Sequence, residues 1–238
     1  MNNIPKVIHY CWFGGNEKPE IVKKCIQTWK KKMPEYTIIE WNEENFDISK
    51  FKFTNSAYKF KKWAFVADYC RLWVLYNYGG IYLDTDMEIL KPLDSFLNEK
   101  SFTGVEDHEN IAFGIWGCKK DDKFIKEILD YYEQIDFNSH IEDLFEIAIP
   151  KVITEVAKQI GYIPKIGEIA YFGEEVAVYP TEVFYPKKSS WAEAIITENT
   201  YTIHHYEGSW RSPMQIFKSK LKKKLINIIR SVKGKECV

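Results

Sequence analysis

The chain has 238 residues, a formal net charge of −1, 45% hydrophobic and 16% aromatic residues. That length suits one domain with a real core, and the balanced charge argues against nucleic acid as a partner. Five cysteines (Cys11, Cys25, Cys70, Cys118, Cys237) are odd in number and lack CxxC spacing, which argues against a disulfide framework or structural zinc and for a reducing compartment. No signal-peptide pattern precedes the first strand, and no apolar run approaches the roughly 20 residues of a membrane span. A cytoplasmic protein is expected.

Residues 4–15, IPKVIHYCWFGG, read as a strand ending in a glycine turn. Helix signals run from Pro19 to about Lys32, with Ile21, Cys25, Ile26 and Trp29 on one side and Met33-Pro34-Glu35 as the stop. Tyr36 to Trp41 reads as a second strand. A β-α-β opening with short connections predicts a parallel sheet with a right-handed crossover, and so an α/β domain. Residues 41–62 alternate between polar and aromatic and read as a loop with a short helix.

Residues 64–93 carry the chemistry. Phe65, Tyr69, Leu72, Trp73 and Tyr76 recur at helical spacing, Gly79-Gly80 supplies a stop, and Ile81-Tyr82-Leu83 reads as a buried strand. Asp84-Thr85-Asp86 follows. On an extended chain Asp84 and Asp86 point to the same side, where a cation offsets their repulsion. Hard oxygen ligands suit Mn²⁺ or Mg²⁺, which complete their shells with phosphate oxygens and water. An isolated DxD is equally a polar turn, but Glu88 excludes the phosphatase and EF-hand versions of the motif. Asp68 and Arg71 sit at i, i+3 on the helix feeding this strand; alone they are an ordinary surface pair, beside the DxD they are site residues.

The phrase A-D-x-x-R-x-x-x-L-x-x-x-G-G-x-Y-L-D-x-D resembles the sugar-binding DxD signature of glycosyltransferase family 32, with an echo in the large glucosylating toxins. The resemblance implies a GT-A fold, a mixed, mostly parallel sheet flanked by helices. It implies a nucleotide-sugar donor, UDP-linked by the toxin-like N-terminal phrase, and transfer with retention. Asp68 and Arg71 would contact sugar hydroxyls and diphosphate, Asp84 would reach ribose, sugar and metal, and Asp86 would ligate the metal directly. The phrase I-P-K-V-I-H-Y-C-W-F-G-G resembles the family's N-terminal strand, and the toxins carry a similar V-W-I-G-G. By that match the backbone at Cys11 and the ring of Trp12 would hold the nucleobase, since a flat indole can stack on a base; the other reading is a core aromatic.

In the second half, Ser101 to Val105 and Ile111 to Gly117 read as strands flanking an acidic loop, Glu106 to Asn110, read as a solvated turn in preference to a hydroxyl contact. Asp121 to Gln134 and Lys151 to Ile160 read as helices, and residues 171–185 as β-rich. Ile149-Pro150 departs from the Gly-Pro that family members carry. His204-His205 opens a second metal signal, since imidazole suits Mn²⁺. The H-aromatic-x-G register of retaining GT-A transferases selects His205 as the ligand, with His204 as the alternative, and places Ser209 and Trp210 over the diphosphate.

From Pro213 the composition changes: eight Lys or Arg fall between Lys218 and Lys235, with Ile216, Phe217, Leu221, Leu225, Ile228 and Ile229 at helical spacing. Residues 1–212 are thus expected to form the GT-A domain, and 213–238 a basic amphipathic tail that suits an anionic membrane surface or packs on the domain. The reading is a metal-dependent retaining glycosyltransferase acting on a glycan or lipid-linked glycan, in a capsule or lipopolysaccharide setting by family resemblance. A catalytically idle sugar-nucleotide-binding module and a sugar-nucleotide hydrolase are the rivals.

Overall fold

A computed structural model describes residues 3–107, 109–173 and 176–207. Ser209, Trp210 and the 213–238 tail lie outside the described residues, as does His108 of the acidic loop.

The opening unit forms as its pattern predicts. β1 (Val7–Cys11) leads to α1 (Glu20–Lys32), whose acidic first turn and lysine-rich last turn complement the helix dipole. β2 (Thr37–Trp41) returns parallel to β1, Val7 opposite Thr37. A single 3₁₀ turn at Ile48–Lys50 and α2 (Lys52–Lys59) make up the next connection.

α3 (Trp63–Tyr78) is more deeply enclosed than a one-sided apolar stripe suggests. Val66, Tyr69, Cys70, Leu72, Val74 and Leu75 are all buried, because the helix packs on β1 and on β3 (Gly80–Leu83) and is itself covered by α2 and α4 (Lys123–Gln134). A helix covered on two sides is not required to be amphipathic. Gly79 ends it at φ +65°, and Gly80 follows at φ +105°, where a Cβ would lie 2.7 Å from the Val7 carbonyl oxygen.

His9 fixes this turn from beneath. The Trp41 indole donates to Nδ1 at 3.1 Å, so the Nε2–H donates to the Gly79 carbonyl at 2.9 Å. Burial holds the imidazole below its ordinary pKa, which keeps it neutral for that double role.

The large sheet runs β2-β1-β3-β6-β5-β8-β7, where β5 is Ser101–Gly104, β6 is Ile115–Cys118, β7 is Ala170–Phe172 and β8 is Val176–Tyr179. β6 is antiparallel to both β3 and β5, and β7 is antiparallel to β8; the other strands share one direction. The sheet is therefore mixed and mostly parallel. α3, α4 and α5 (Ile149–Gln159) pack in the core on one face, while Trp29 and Met33 of the α1 segment join the core on the other.

β4 (Met87–Ile89) leaves this sheet and pairs antiparallel with β9 (Thr202–His204), Met87 opposite His204. α1 anchors β4: the Trp29 indole donates to the Met87 carbonyl at 2.6 Å, and Thr28 Oγ1 accepts the Ile89 amide at 3.0 Å. The expected β-rich run 171–185 holds β7 and β8, then turns at Pro180 into the short helix α6 (Thr181–Phe184). The strand expected over 111–117 begins at Ile115, with only an isolated bridge from Val105 to Ile111 before it.

Candidate functional site

Because β1, β3, β5 and β8 share a direction, their carboxyl ends open on one rim, the place where open α/β sheets bind ligands. Asp84 and Asp86 stand at the end of β3. Extended alternation does not place them: β3 stops at Leu83, and residues 84–86 form a turn closed by the Met87 amide donating to the Asp84 carbonyl at 3.0 Å. The turn, tied by the Asp84 amide to the Gly114 carbonyl at 2.7 Å, is what brings both carboxylates to the rim.

Asp84 is held from below. Arg71 Nη1 lies 3.2 Å from its Oδ1, and the Tyr82 hydroxyl donates to the same oxygen at 3.0 Å. The other arm of Arg71 meets Asp68 Oδ1 at 3.0 Å, and its Nη1 donates to the Phe113 carbonyl at 3.2 Å. The guanidinium also sits 4.5 Å from the centre of the Tyr82 ring. Asp68 and Arg71 are each only 7% exposed, so the pair is no surface decoration. Burial pushes the Asp68 carboxyl up to about 6, with Arg71 and the Ile149 amide at the start of α5 opposing the shift. Burial works against the charge on Arg71, but Asp84, Tyr82 and Asp68 outweigh it and keep the guanidinium charged.

Asp86 meets the second metal signal through His204. His204 Nε2 lies 3.1 Å from Asp86 Oδ1, whereas His205 Nε2 lies 2.9 Å from Glu88 Oε2. The ring beside the DxD is thus that of His204, the alternative, while His205 meets Asp86 through its backbone amide, at 3.1 Å from the Asp86 carbonyl. Pairing of β4 with β9 puts His205 on the face of Glu88, and the turn at 84–86 swings Asp86 toward His204. Beyond His205 the chain bends at Tyr206, φ +55°, and the Glu207 amide donates back to Asp86 Oδ2 at 2.8 Å. Burial alone would raise the Asp86 pKa; His204 and the Glu207 amide override it and bring it down to about 2. Burial would lower His204, but Asp86 and then Asp84 hold it above its ordinary value.

The residues present fit a divalent ion. Ligand atoms from Asp84, Asp86 and His204 all lie within 4.8 Å of one another. Ligands of one Mg²⁺-sized ion, each about 2.1 Å from it, stand at most about 4.2 Å apart, so small side-chain rotations suffice. His204 Nδ1 is buried and has no partner among the described residues.

Trp12 lies on the same rim, beyond β1. It lines a cleft of about 540 Å³ together with Gly14, Lys18, Glu43, Tyr58 and Trp63. Its indole donates to the Asn16 carbonyl at 2.7 Å, and Lys18 sits over its ring. Gly14, at φ +92°, is required there: a Cβ would lie 2.6 Å from the Trp63 indole nitrogen. Cys11 is buried at the end of β1, its Sγ near the Ala67 carbonyl. The sequence reading missed Tyr82, Trp63 and the Glu207 amide; Tyr82 reads only as part of a buried strand, and Trp63, the first residue of α3, falls between the expected loop and helix.

Glu106 belongs to the loop read as a solvated turn in preference to a hydroxyl contact. It follows β5, is half-buried, and faces the charges of His204, Asp107 and Asp84. At this residue the loop turns inward from solvent, while Asp107 and Glu109 are exposed.

Residues 19–103 match the family described as a glycosyltransferase sugar-binding region containing the DXD motif. Among solved structures, the chain superposes on the PaToxG glycosyltransferase with a TM-score of 0.55 at 19% identity, over 66% of this chain and 69% of that one. The fold is GT-A. Inositol phosphoceramide mannosyltransferase 3 of Schizosaccharomyces pombe is 29% identical over 149 residues, 58% of this chain and 39% of that protein. A mannosyl phosphorylinositol ceramide synthase of Saccharomyces cerevisiae is 32% identical over 114 residues, 44% of this chain and 30% of that protein. The chain thus spans well under half the length of these two relatives. The region matched to the family takes in Asp68, Arg71, Asp84 and Asp86 of this GT-A chain, and leaves out His204 and Glu106.

Proposed function

We propose that the chain is a metal-dependent, retaining glycosyltransferase that moves a sugar from a nucleotide-sugar donor to a hydroxyl of a glycan or glycolipid. The observation that carries the reading is the meeting of Asp84, Asp86 and His204 on the rim above the buried Asp68–Arg71 pair. These three residues would hold Mn²⁺ or Mg²⁺, which when bound neutralises charge on the departing diphosphate. Arg71 adds a fixed positive charge under the same position, and Asp68 and Asp84 accept hydrogen bonds from sugar hydroxyls. Trp12 offers its ring to the nucleobase in the adjoining cleft.

UDP is the first nucleotide to test, on the toxin-like N-terminal phrase. The names of the yeast relatives make mannose a sugar to test beside glucose and galactose, and inositol-containing glycolipids an acceptor class ahead of capsule or lipopolysaccharide. A cytoplasmic site at an anionic membrane surface, reached through the 213–238 tail, belongs to the same proposal.

Incubation with UDP- and GDP-sugars, inositol-containing glycolipid, and Mn²⁺ or chelator tests it. The expected result is metal-dependent product carrying the donor's anomeric configuration by NMR, and none with Asp86→Ala. Transfer that persists in chelator, or with Asp86→Ala, contradicts the reading.

A further inference from the structure

We propose that Glu106 is the acceptor-side residue of the site, its carboxylate accepting the hydrogen bond of the attacking hydroxyl and holding that oxygen against the anomeric carbon. This rests on the glycosyl-transfer reading above and names the residue that serves its second substrate.

Strand order places it. Trp12 and the DxD stand on the β2-β1-β3 half of the sheet, which therefore serves the nucleotide, and Glu106 follows β5 in the β6-β5-β8-β7 half. β5 is antiparallel to β6 and β6 to β3, so the carboxyl end of β5 returns to the rim that carries Asp84. The Asp84/Asp86/His204 cluster thus lies between the nucleotide cleft and Glu106.

The loop backbone at Glu106 is fixed without using this carboxylate. Asp107 Oδ1 accepts the Glu109 and Asn110 amides at 2.8 and 2.7 Å, and the Glu106 amide donates to the Asn110 carbonyl at 3.2 Å. The Ile111 amide, next along, is fixed to Thr154 Oγ1 of α5 at 3.0 Å. Every brace runs through Asp107, Thr154 or backbone; none runs through the Glu106 side chain. Among the described residues no donor meets that carboxylate, although Asp84 and Asp86 on the same rim are each held by donors. Burial raises its pKa, His204 opposes the rise, and Asp107 and Asp84 add to it. A half-buried carboxylate with unfilled acceptor capacity costs stability, and a hydroxyl donor relieves that cost.

In the step itself the acceptor oxygen bonds to the anomeric carbon. The bond from that carbon to the diphosphate oxygen breaks with its electron pair on the diphosphate, and the hydroxyl proton moves along the hydrogen bond to Glu106, which then hands it to the departed diphosphate oxygen. Glu106 orients the hydroxyl and ends unchanged. Water entering the acceptor position is held by the same contact, so donor hydrolysis reads the residue without an identified acceptor.

The test compares wild type, Glu106→Gln and Asp86→Ala with Mn²⁺ and UDP-glucose, UDP-galactose or GDP-mannose, measuring donor binding by calorimetry and nucleoside diphosphate release. For Glu106→Gln, donor affinity is expected to stay within about threefold of wild type while the rate of release at saturating donor falls on the order of 100-fold, the cost of a misplaced reactant. Release within about threefold of wild type overturns the assignment. So does a tenfold or greater loss of donor affinity, which makes Glu106 a donor or metal contact, or a glycosyl adduct on Glu106 by mass spectrometry. Loss of Mn²⁺-dependent donor binding in wild type itself, or its survival in Asp86→Ala, instead overturns the transfer reading and the assignment with it.

Discussion

His204 Nε2 lies 3.1 Å from Asp86 Oδ1, joining residues 118 positions apart in the chain. The contact exists because β9 pairs with β4 immediately after the DxD turn, and α1 clamps β4 through Trp29 and Thr28. The Asp84–Asp86–His204 cluster therefore joins the turn that follows β3 of the main sheet to β9 of the separate strand pair.

His204→Ala should weaken Mn²⁺ binding by on the order of 10–100-fold or more, since losses of that size follow even from mutating the groups that merely support ligands. His205→Ala removes only the Glu88 contact and should leave Mn²⁺ affinity within about threefold. Calorimetric Mn²⁺ titration of the two variants decides it; the reverse order would restore His205 as the ligand.

Arg71→Ala should destabilise the fold by about 3–5 kcal/mol, because Asp68 and Asp84 would lose the cation both of them face. Arg71→Lys should recover part of that loss and little activity, since an ammonium cannot fork to two carboxylates and a carbonyl. Urea unfolding of both variants measures the effect, and a loss under about 1 kcal/mol for Arg71→Ala contradicts it.

Much of this was legible in the sequence. The β1-α1-β2 opening, α3, the glycine stop and the short strand before the DxD are encoded locally, by periodicity and turn chemistry, and each stands within a few residues of its expected place. The Asp68–Arg71–Asp84 contacts follow from a helix feeding directly into a neighbouring strand. What was hidden is non-local. The choice of His204 over His205 depends on a pairing between residues 87–89 and 202–204 and on a turn that breaks strand alternation, neither of which spacing records. Glu106 reads as one acid among several until the antiparallel insertion of β6 brings β5 back to the rim.

Asp68 carries a pH signature. Its carboxyl titrates at 3.8 when free of the fold and is pushed up to about 6 by burial within it. The folded state therefore binds this proton more tightly, and the associated stability, fully present below about pH 4, is lost as pH rises through about 6. Asp68→Asn should thus be more stable than wild type by about 1–3 kcal/mol at about pH 7.5, with the gap closing by about pH 4, while transfer is lost. Thermal unfolding across that range checks it; equal or lower stability of the variant at pH 7.5 contradicts it.

Trp12→Ala should weaken nucleotide-sugar binding by about 1–3 kcal/mol, the range for one base stacked on one aromatic ring, and should leave Mn²⁺ affinity unchanged. Competition binding with free UDP and GDP separates the base contribution from that of the sugar. Unchanged affinity for both nucleotides would return Trp12 to a packing role.

The most direct measurement is calorimetric titration of UDP-glucose, UDP-galactose and GDP-mannose into wild type and Asp86→Ala, each with Mn²⁺ and with chelator. At least one donor should bind wild type with Mn²⁺ present and be weakened at least about tenfold by chelator or by loss of Asp86. Donor binding indifferent to both changes, or no binding of any donor under any condition, would contradict a metal-assisted sugar-nucleotide site at the DxD.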